Sequence, residues 1–261
     1  MATDWLFPPR CVGCGKVGAR FCAQCMAAAP RLNPPLCVRC GQELDPPAAD
    51  GLCPRCRRRP PAFSAARAWA HMEGSVQRAV HRLKYRRDLG LGEALARPLL
   101  ALAEETGWAI ESVLPVPLSP SRRRQRGYNQ AALLAYPVAL GLGVPYLGKA
   151  LIRARETRSQ VGLSVAERWA NVAGAFHTVQ PEAIAGKTLL LIDDVMTTGA
   201  TLDAAAQALL AAGARQVFAL TVARALLHWK HLGDLEPFSL KQPADGRERL
   251  QIDADLRVSK R

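Results

Sequence analysis

The sequence predicts an α/β domain, with a parallel sheet flanked by helices, preceded by a small metal-binding module. Residues 189–192 are all apolar, without the alternation of a half-exposed strand, which is typical of a strand covered on both faces. An Ala-rich helical pattern follows over residues 202–212, and Gly213 is placed to end that helix. All eight cysteines lie in the first 56 residues, in pairs. A chain of 261 residues is long enough for both parts.

The N-terminal module, residues 1–60, is predicted to be a double zinc ribbon. Each cysteine pair has the spacing Cys-x-x-Cys, which suits zinc-binding turns better than the disulfides of a secreted scaffold. Because few apolar residues accompany them, two structural Zn²⁺ ions are expected to take the place of a core, at about 10–16 kcal/mol per ion. The simplest pairing gives the first four cysteines to one ion and the last four to the other, and a cross-braced arrangement is the alternative. The expected ligands are Cys11, Cys14, Cys22, Cys25, Cys37, Cys40, Cys53 and Cys56.

The composition indicates an acidic partner and a reducing compartment. The formal net charge is +13, and although cysteine thiolates with bound Zn²⁺ lower it, the balance still favours phosphates, nucleotides or nucleic acid. The first ten residues lack the basic start and the apolar stretch of a signal peptide, so a cytoplasmic location is expected. Residues 131–148 carry no charge, but we predict a helix, a turn and a strand start there rather than a membrane span, because the segment is divided by Pro137, Gly141, Gly143 and Pro145.

Residues 61–230 are predicted to form the α/β domain. Besides the strand at 189–192, strands are predicted over residues 63–70, 112–118, 149–155 and 216–223. Two helices are predicted from apolar residues at helical spacing, the first with Val76, Val80 and Leu83, and the second, ending near Gly107, with Leu91, Leu95, Leu99 and Leu102. The basic end of the first helix contains Lys84, a candidate for contacting a substrate or its phosphate. Residues 231–261 carry scattered charges without periodicity and predict a disordered tail.

Asp193 and Asp194 follow the apolar strand, and small residues with hydroxyl groups follow them. In open α/β sheets ligands bind at the carboxyl ends of strands, and two carboxylates buried there for packing alone would be costly. The next residues lead into a helix whose first N–H groups can surround an anion, and they are Thr197, Thr198, Gly199, Ala200 and Thr201. Acids beside an anion site imply a ligand with hydroxyls near a phosphate, such as a ribose 5-phosphate. The alternative is that the acids cap the helix and the threonines bond locally.

Four arginines within five positions, residues 122–126, are predicted to lie in a loop after the strand at 112–118. Guanidinium groups beside a phosphate site can neutralise a pyrophosphate through bidentate contacts, and Arg122 and Arg126 are the candidates. Without the neighbouring acidic motif, the same run would indicate a solvated or nucleic-acid-binding segment.

Residues 188–201 resemble the phosphoribosyl pyrophosphate (PRPP) motif of the type I phosphoribosyltransferases. Up to about Arg224 the chain also resembles the ComF family of bacterial competence proteins. The residues that carry this resemblance are the four Cys-x-x-Cys pairs, Leu83-Lys84-Tyr85, Pro115-Val116-Pro117, Arg126-Gly127-Tyr128-Asn129-Gln130, Thr157 with Gln160, Arg168 with Asn171, and Phe176. The resemblance implies a type I phosphoribosyltransferase fold behind a double zinc ribbon.

The resemblance also implies roles for individual residues. The two aspartates, which with Arg126 would form the catalytic group, would hold the ribose hydroxyls, and residues 197–201 would hold the 5-phosphate. Met196 would contact the base. Mg²⁺ would bind together with PRPP, mainly through ligand oxygens. A mobile loop containing Arg158 and Gln160 would close over the substrate and exclude water, the alternative for both residues being an ordinary loop role.

Two functional hypotheses follow. The first is an enzyme of the pentosyl-transfer class that moves ribose 5-phosphate from PRPP to an unidentified base and is associated with competence and DNA uptake. The second is a protein that binds PRPP or handles single-stranded DNA in natural transformation without turnover. PRPP is the expected ligand in both, and single-stranded DNA and DNA-uptake proteins are the expected partners.

Overall fold

A four-stranded parallel sheet forms the centre of the structure. The computed structural model describes residues 8–156 and 164–225. Its strands in chain order are β1 (Ala65–His71), β2 (Ser112–Pro115), β3 (Leu151–Arg153), β4 (Phe176–Thr178), β5 (Thr188–Met196) and β6 (Gln216–Arg224). The main sheet has the order β1-β6-β5-β2, and β3 and β4 form a separate antiparallel pair. The α/β fold with a parallel sheet is therefore confirmed.

Helices cover both faces of the main sheet. In the described ranges they are α1 (Ala23–Ala27), α2 (Pro54–Arg58), α3 (Gly74–Tyr85), α4 (Gly90–Thr106), α5 (Pro120–Arg126), α6 (Gln130–Leu142), α7 (Val165–Val172) and α8 (Ala200–Ala211). One core contains the apolar residues of α3, α4 and α6. The other contains those of α8 together with the last four cysteines. The sheet thus separates two apolar layers.

The apolar run of β5 contributes to both layers. Leu189 and Leu191 lie in the core on the α8 side, whereas Leu190 and Ile192 lie in the core on the α4 and α6 side, and all four are fully buried. Successive side chains of a strand point to opposite faces, so a strand with two covered faces needs apolar residues at every position. The prediction of a central strand from this run is confirmed.

The arginine-rich segment after β2 is a helix rather than the loop that the sequence predicted. Pro120 occupies the first helical position of α5, where its missing N–H has no intrahelical acceptor in any case. Arginine is a good helix former. Gly127 ends α5 with a φ of 83°, a left-handed conformation that favours glycine. The arginines therefore project from a fixed surface.

Other element boundaries also differ from the sequence expectations. The segment predicted as a strand over residues 149–155 forms β3 over three residues only, outside the main sheet. Helix α6 continues through Pro137 and Gly141 to Leu142, although the sequence predicted a break in this segment. The helix ends at Gly143, which has a φ of 66°. In the part of the chain that the structure describes, no helix has both the length and the apolar character needed to cross a bilayer.

Some sequence expectations lie outside the described residues. These are the substrate-closing roles of Arg158 and Gln160 and the disordered tail at residues 231–261. Beyond that gap, Arg168 and Asn171, which are among the residues that carry the family resemblance, lie on α7. A capping box begins α7, in which Ser164 accepts from the N–H of Glu167 and the Glu167 side chain accepts from the N–H of Ser164.

Candidate functional site

A cavity of about 950 Å³ opens beside the carboxyl end of β5. It collects residues from α3, α5, α6, β3, α7, β5 and the start of α8. Among the residues given a catalytic or binding role from the sequence, those that line it are Lys84, Arg122, Arg126, Asp193, Asp194, Thr197 and Thr201. The fold thus brings seven candidates, which span more than 100 positions of the chain from first to last, to one cavity.

The two aspartates lie within β5, not after its end as the sequence suggested. β5 continues to Met196 because β6 pairs with it along its whole length, as far as Arg224. On the other side β2 stops at Pro115, opposite Ile192. The edge of β5 that carries the acids therefore has no neighbouring strand on the β2 side, and this is where the cavity opens.

The acidic pair is held by one lysine and by its own backbone. Lys84 Nζ lies 3.0 Å from Asp194 Oδ1, and the N–H of Asp194 donates to Asp193 Oδ1 over 2.9 Å. Burial, and then the neighbouring charge of Asp194, raise the pKa of Asp193 from 3.8 to about 7. Asp194 Oδ2 is buried and has no hydrogen-bond partner among the described residues. A buried acceptor without a donor is costly, so a ligand hydroxyl at this position would relieve that cost.

Four arginines line the same cavity as the acidic pair. Arg122 and Arg126 reach it from α5, Arg153 from β3 and Arg168 from α7. The Arg126 guanidinium donates to Gln130 Oε1 and lies 5.5 Å from the centre of the Tyr85 ring. These guanidinium groups make the cavity lining suited to a multiply charged anion.

Arg153 is a site residue that the sequence analysis missed. It is 6% exposed although it is charged. Burial, and then the charge of Arg122, lower the pKa of Arg153 to about 10, so it stays protonated at neutral pH. Its position in a short strand, on the same face as buried Leu151, is a signal that could have identified it. Arg168 was noted in the sequence only as part of the family resemblance.

The segment between β5 and α8 divides its residues between the cavity and the core. Thr197 and Thr201 line the cavity. Thr198 is 2% exposed, and its Oγ1 accepts a hydrogen bond from the N–H of Ala200 over 3.3 Å. This is the local hydrogen bonding that the sequence offered as the alternative to ligand binding. Gly199 has a φ of 81° and comes directly before α8, whose first N–H groups have no intrahelical partners. We call residues 197–201 the phosphate loop, after the role that the sequence predicts for them.

Met196 does not reach the cavity. It is 2% exposed and belongs to the core on the α8 side. A Cβ built on Gly199 would come within 3.2 Å of Met196 Cε, so the methionine packs beneath the loop. The structure therefore packs this side chain against Gly199 in the core. The expected base contact would instead need the side chain to line the cavity.

The eight cysteines form two separate clusters of four. Cys11, Cys14, Cys22 and Cys25 form the first cluster, and Cys37, Cys40, Cys53 and Cys56 form the second, with the Sγ atoms of each within 4.8 Å of one another. The Sγ atoms of Cys14 and Cys22 are 3.8 Å apart, and those of Cys40 and Cys53 are 3.7 Å apart. Tetrahedral Zn²⁺ with Zn–S bonds of about 2.3 Å needs sulfur separations of about 3.8 Å, so both clusters fit zinc. The simple pairing is confirmed, and the cross-braced alternative is not adopted.

The clusters differ in their surroundings. In the first cluster Cys14 is exposed, whereas in the second all four cysteines are buried. Backbone N–H groups donate to the sulfurs in both, for example from Cys22 to Cys11 Sγ and from Cys53 to Cys37 Sγ, each over 3.3 Å. Such donors stabilise thiolates, the form that binds zinc.

Comparison with known proteins identifies two families along the chain. Residues 2–59 match the double zinc ribbon domain, and residues 129–234 match the phosphoribosyl transferase domain. DNA utilization protein YhgH of Salmonella typhi is 33% identical over 211 residues, covering 79% of this chain and 91% of that protein. Competence protein F of Haemophilus influenzae is 31% identical over 198 residues, covering 73% and 85%.

Two further similarities cover less of the chain. Competence protein ComFC of Streptococcus pneumoniae is 34% identical over 109 residues, or 42% of this chain and 46% of that protein. Among solved structures, adenine phosphoribosyltransferase from Saccharomyces cerevisiae is 21% identical, with a TM-score of 0.36 over 54% of this chain and 72% of that chain.

Proposed function

The chain belongs to the ComF family, which joins a double zinc ribbon to a phosphoribosyltransferase domain, and we propose that it binds PRPP and transfers its ribose 5-phosphate to a base. The observation that carries this proposal is the lining of the 950 Å³ cavity, which has an acidic pair, a phosphate loop and an arginine-rich wall. PRPP offers a partner for each of these three features. Its ribose hydroxyls suit the acidic pair, its 5-phosphate suits the phosphate loop, and its pyrophosphate suits the arginines.

Each part of the ligand has partners of suitable chemistry. The unpaired Oδ2 of Asp194 would accept from a ribose hydroxyl, with Asp193 as the second acceptor. Thr197, Thr201 and the first N–H groups of α8 would bind the 5-phosphate. Arg122 and Arg153, which also line the cavity, would bind the pyrophosphate.

The proposed reaction is a substitution at ribose C1. A ring nitrogen of the base forms a bond to C1 while the bond from C1 to the pyrophosphate oxygen breaks, and the base loses a proton to solvent or product. Mg²⁺ bound with PRPP would neutralise part of the charge on the leaving group. The protein side chains position the sugar, bind the pyrophosphate and limit the access of water.

The acidic pair gives the direct test of binding. Asp193→Asn combined with Asp194→Asn should raise the Kd for Mg²⁺-PRPP by about 100-fold or more, because two charge-assisted hydrogen bonds are weakened. Isothermal titration calorimetry measures this, with Glu104→Gln on the exposed surface of α4 as the control. An unchanged affinity in the double variant would refute the proposed site.

Turnover requires a separate assay. Pyrophosphate release from Mg²⁺-PRPP is measured with a panel of purine, pyrimidine and pyridine bases, with and without the protein. Release that depends on one class of base supports the transferase. Tight PRPP binding without release for any base contradicts turnover and favours the second function below.

A second candidate function is nucleic-acid binding, and a basic groove on α3 favours it. The groove has a volume of about 640 Å³ and is lined by Arg78, Arg82 and Arg86 together with His81 and Tyr85. Tyr85 is 67% exposed, and its ring packs edge-on against that of His81. Basic residues beside an exposed aromatic ring suit a single strand, whose phosphates pair with arginine and whose bases stack. The names of the relatives, which refer to DNA utilization and competence, agree with this function.

Binding of a fluorescent oligothymidine tests the groove. Arg86→Gln should weaken binding and lower the slope of log K against log salt by about 0.7, the value for one lost contact to a single-strand phosphate. Arg97→Gln is the matched control, because Arg97 is exposed on α4 and pairs only weakly with Glu93, at 3.6 Å. Equal slopes for the two variants would exclude this groove as the contact.

A further inference from the structure

The second cysteine cluster packs against the phosphate loop, whereas the first does not. The four cysteines of the second cluster are at most 2% exposed and belong to the same core as Met196 and Ala200. The first cluster packs in the other core, beside Phe21 and Trp69. The second metal site, unlike the first, therefore shares a core with Met196 and Ala200, which lie on either side of residues 197–199.

Arg55 connects the second cluster to the phosphate loop directly. It lies on α2 between the zinc ligands Cys53 and Cys56, and its Nη1 donates to the carbonyl oxygen of Thr198 over 2.5 Å. That carbonyl immediately precedes Gly199, the left-handed residue at the start of α8. The bond therefore fixes the orientation of the peptide between Thr198 and Gly199.

Arg224 makes a second connection, from the sheet to the cysteine cluster. It is the last residue of β6 and is 4% exposed, and its Nη1 donates to the carbonyl oxygen of Cys40 over 2.7 Å. Arg224 is also paired with Met196 in the β5–β6 register, and the N–H of Ala225 donates to Met196 O over 3.0 Å. The residue that comes just before the phosphate loop is thus tied, through β6, to the same cysteine cluster.

A third contact holds the first turn of α8. The N–H of Ala62, six residues after Cys56, donates to Asp203 Oδ1 over 2.5 Å. Asp203 is 3% exposed, so this bond is shielded from water. The chain leaving the second cluster therefore contacts α8 just after the phosphate loop.

These contacts depend on the metal because α2 cannot hold its own shape. A helix of five residues is far below the length at which a helix is stable in water. Its position is set by Cys53, which caps it and whose Sγ accepts from the N–H of Cys56, and by the coordination of both cysteines. Loss of metal from the second cluster would release Arg55 from its position on the loop.

We propose that the second cysteine cluster, with its metal, is part of the phosphate site, and that Arg55 is the positioning residue that holds the loop in its anion-binding conformation. This inference rests on the proposed PRPP function for its ligand. The cluster supplies no contact to the ligand itself. Its role is preorganisation, since a loop already held in the binding conformation loses less entropy when the anion binds.

The test uses full-length protein and three single variants. Arg55→Met removes the donor, Arg55→Lys keeps a positive donor on a similar stem, and Arg57→Met removes an arginine from the same helix that faces solvent and pairs with Asp50. Zinc content is measured for each, so that only proteins with two bound Zn²⁺ are compared. The two readouts are the Kd for Mg²⁺-PRPP and the hydrogen exchange of amides 197–201 without ligand.

Arg55→Met should bind PRPP about tenfold more weakly, as expected for loss of one hydrogen bond from a charged donor. Its loop amides should exchange faster, while Arg57→Met matches the wild type in both readouts and Arg55→Lys recovers most of the affinity. Wild-type exchange and affinity in zinc-loaded Arg55→Met would overturn the inference. If the wild type itself does not bind PRPP, the proposed function fails, and the exchange of the ligand-free loop still decides the role of Arg55.

Discussion

The ion pair between Lys84 and Asp194 should stabilise the fold far more than an exposed pair of similar length. Its atoms are 3.0 Å apart, and the two side chains are 19% and 5% exposed. The pair formed by Arg57 and Asp50 is slightly closer, at 2.8 Å, but its side chains are 54% and 43% exposed. The exposed pair has the more favourable geometry, since Arg57 donates to both carboxylate oxygens of Asp50, so a larger coupling at Lys84 and Asp194 would come from burial.

The magnitude follows from the two environments. At 3.0 Å and an effective dielectric constant of about 20, the Coulomb attraction is about 5 kcal/mol before desolvation is subtracted. Removal of one partner from a buried pair costs about 3–5 kcal/mol, because the other charge stays buried without a partner. We expect Lys84→Met to lower the free energy of unfolding by about 3 kcal/mol, and the coupling energy with Asp194→Asn to be about 2 kcal/mol.

A double-mutant cycle measures this coupling. The wild type, Lys84→Met, Asp194→Asn and the double variant are unfolded in urea at saturating zinc, and the same cycle is made with Arg57→Met and Asp50→Asn. The exposed pair should give about 0.2–1 kcal/mol. A coupling energy for Lys84 and Asp194 no larger than that of the exposed pair would refute the reasoning from burial.

Three further predictions follow from the site and the metal clusters. Because the pKa of Asp193 is raised from 3.8 to about 7, the folded state binds more protons than the unfolded state between these values, so stability should fall as pH rises from about 4 to about 7. Asp193→Asn should remove this fall in urea unfolding, and an identical slope in both proteins would contradict it. Gly199→Ala should destabilise the protein by about 1–2 kcal/mol, because φ is 81° and the new Cβ would lie 3.2 Å from Met196 Cε. Gly107→Ala should cost only about 1 kcal/mol, because Gly107 has a φ of 65° but no atom within 4 Å of the new Cβ. A strong chelator should release two Zn²⁺ per chain, and the circular dichroism of the ribbons should be lost. Release should be slower from the buried second cluster than from the partly exposed first cluster. Release of both ions at one rate would contradict the prediction that burial slows release.

Local sequence patterns were sufficient for several parts of the molecule. The apolar run of β5 predicts a strand with two covered faces because each residue contributes its side chain to one face in turn. The four Cys-x-x-Cys pairs predict the two zinc sites because two ligands within one turn are a local feature. The motif from Asp193 to Thr201 contains its acids, hydroxyls and helix start within nine consecutive residues. These features need no information about distant contacts.

Strand ends and helix starts were less predictable. The sequence ended the central strand before Asp193, but pairing with β6 extends β5 to Met196. The arginine run was expected as a loop, although Pro120 at its start and Gly127 at its end are helix-boundary signals. Where a strand ends depends on its partners, so the residues of that strand do not determine it.

The sequence by itself determined the kinds of chemical group that this protein contains, namely two sets of cysteine ligands, an acidic pair and a helix start preceded by small hydroxyl residues. The tertiary structure decided which residues join them. Arg153 reaches the cavity because an antiparallel pair of strands carries it there, and Arg55 meets Thr198 across 143 positions of the chain. The physical reason is that hydrogen bonds and ion pairs act over about 3 Å, and only folding brings residues far apart in sequence within that distance.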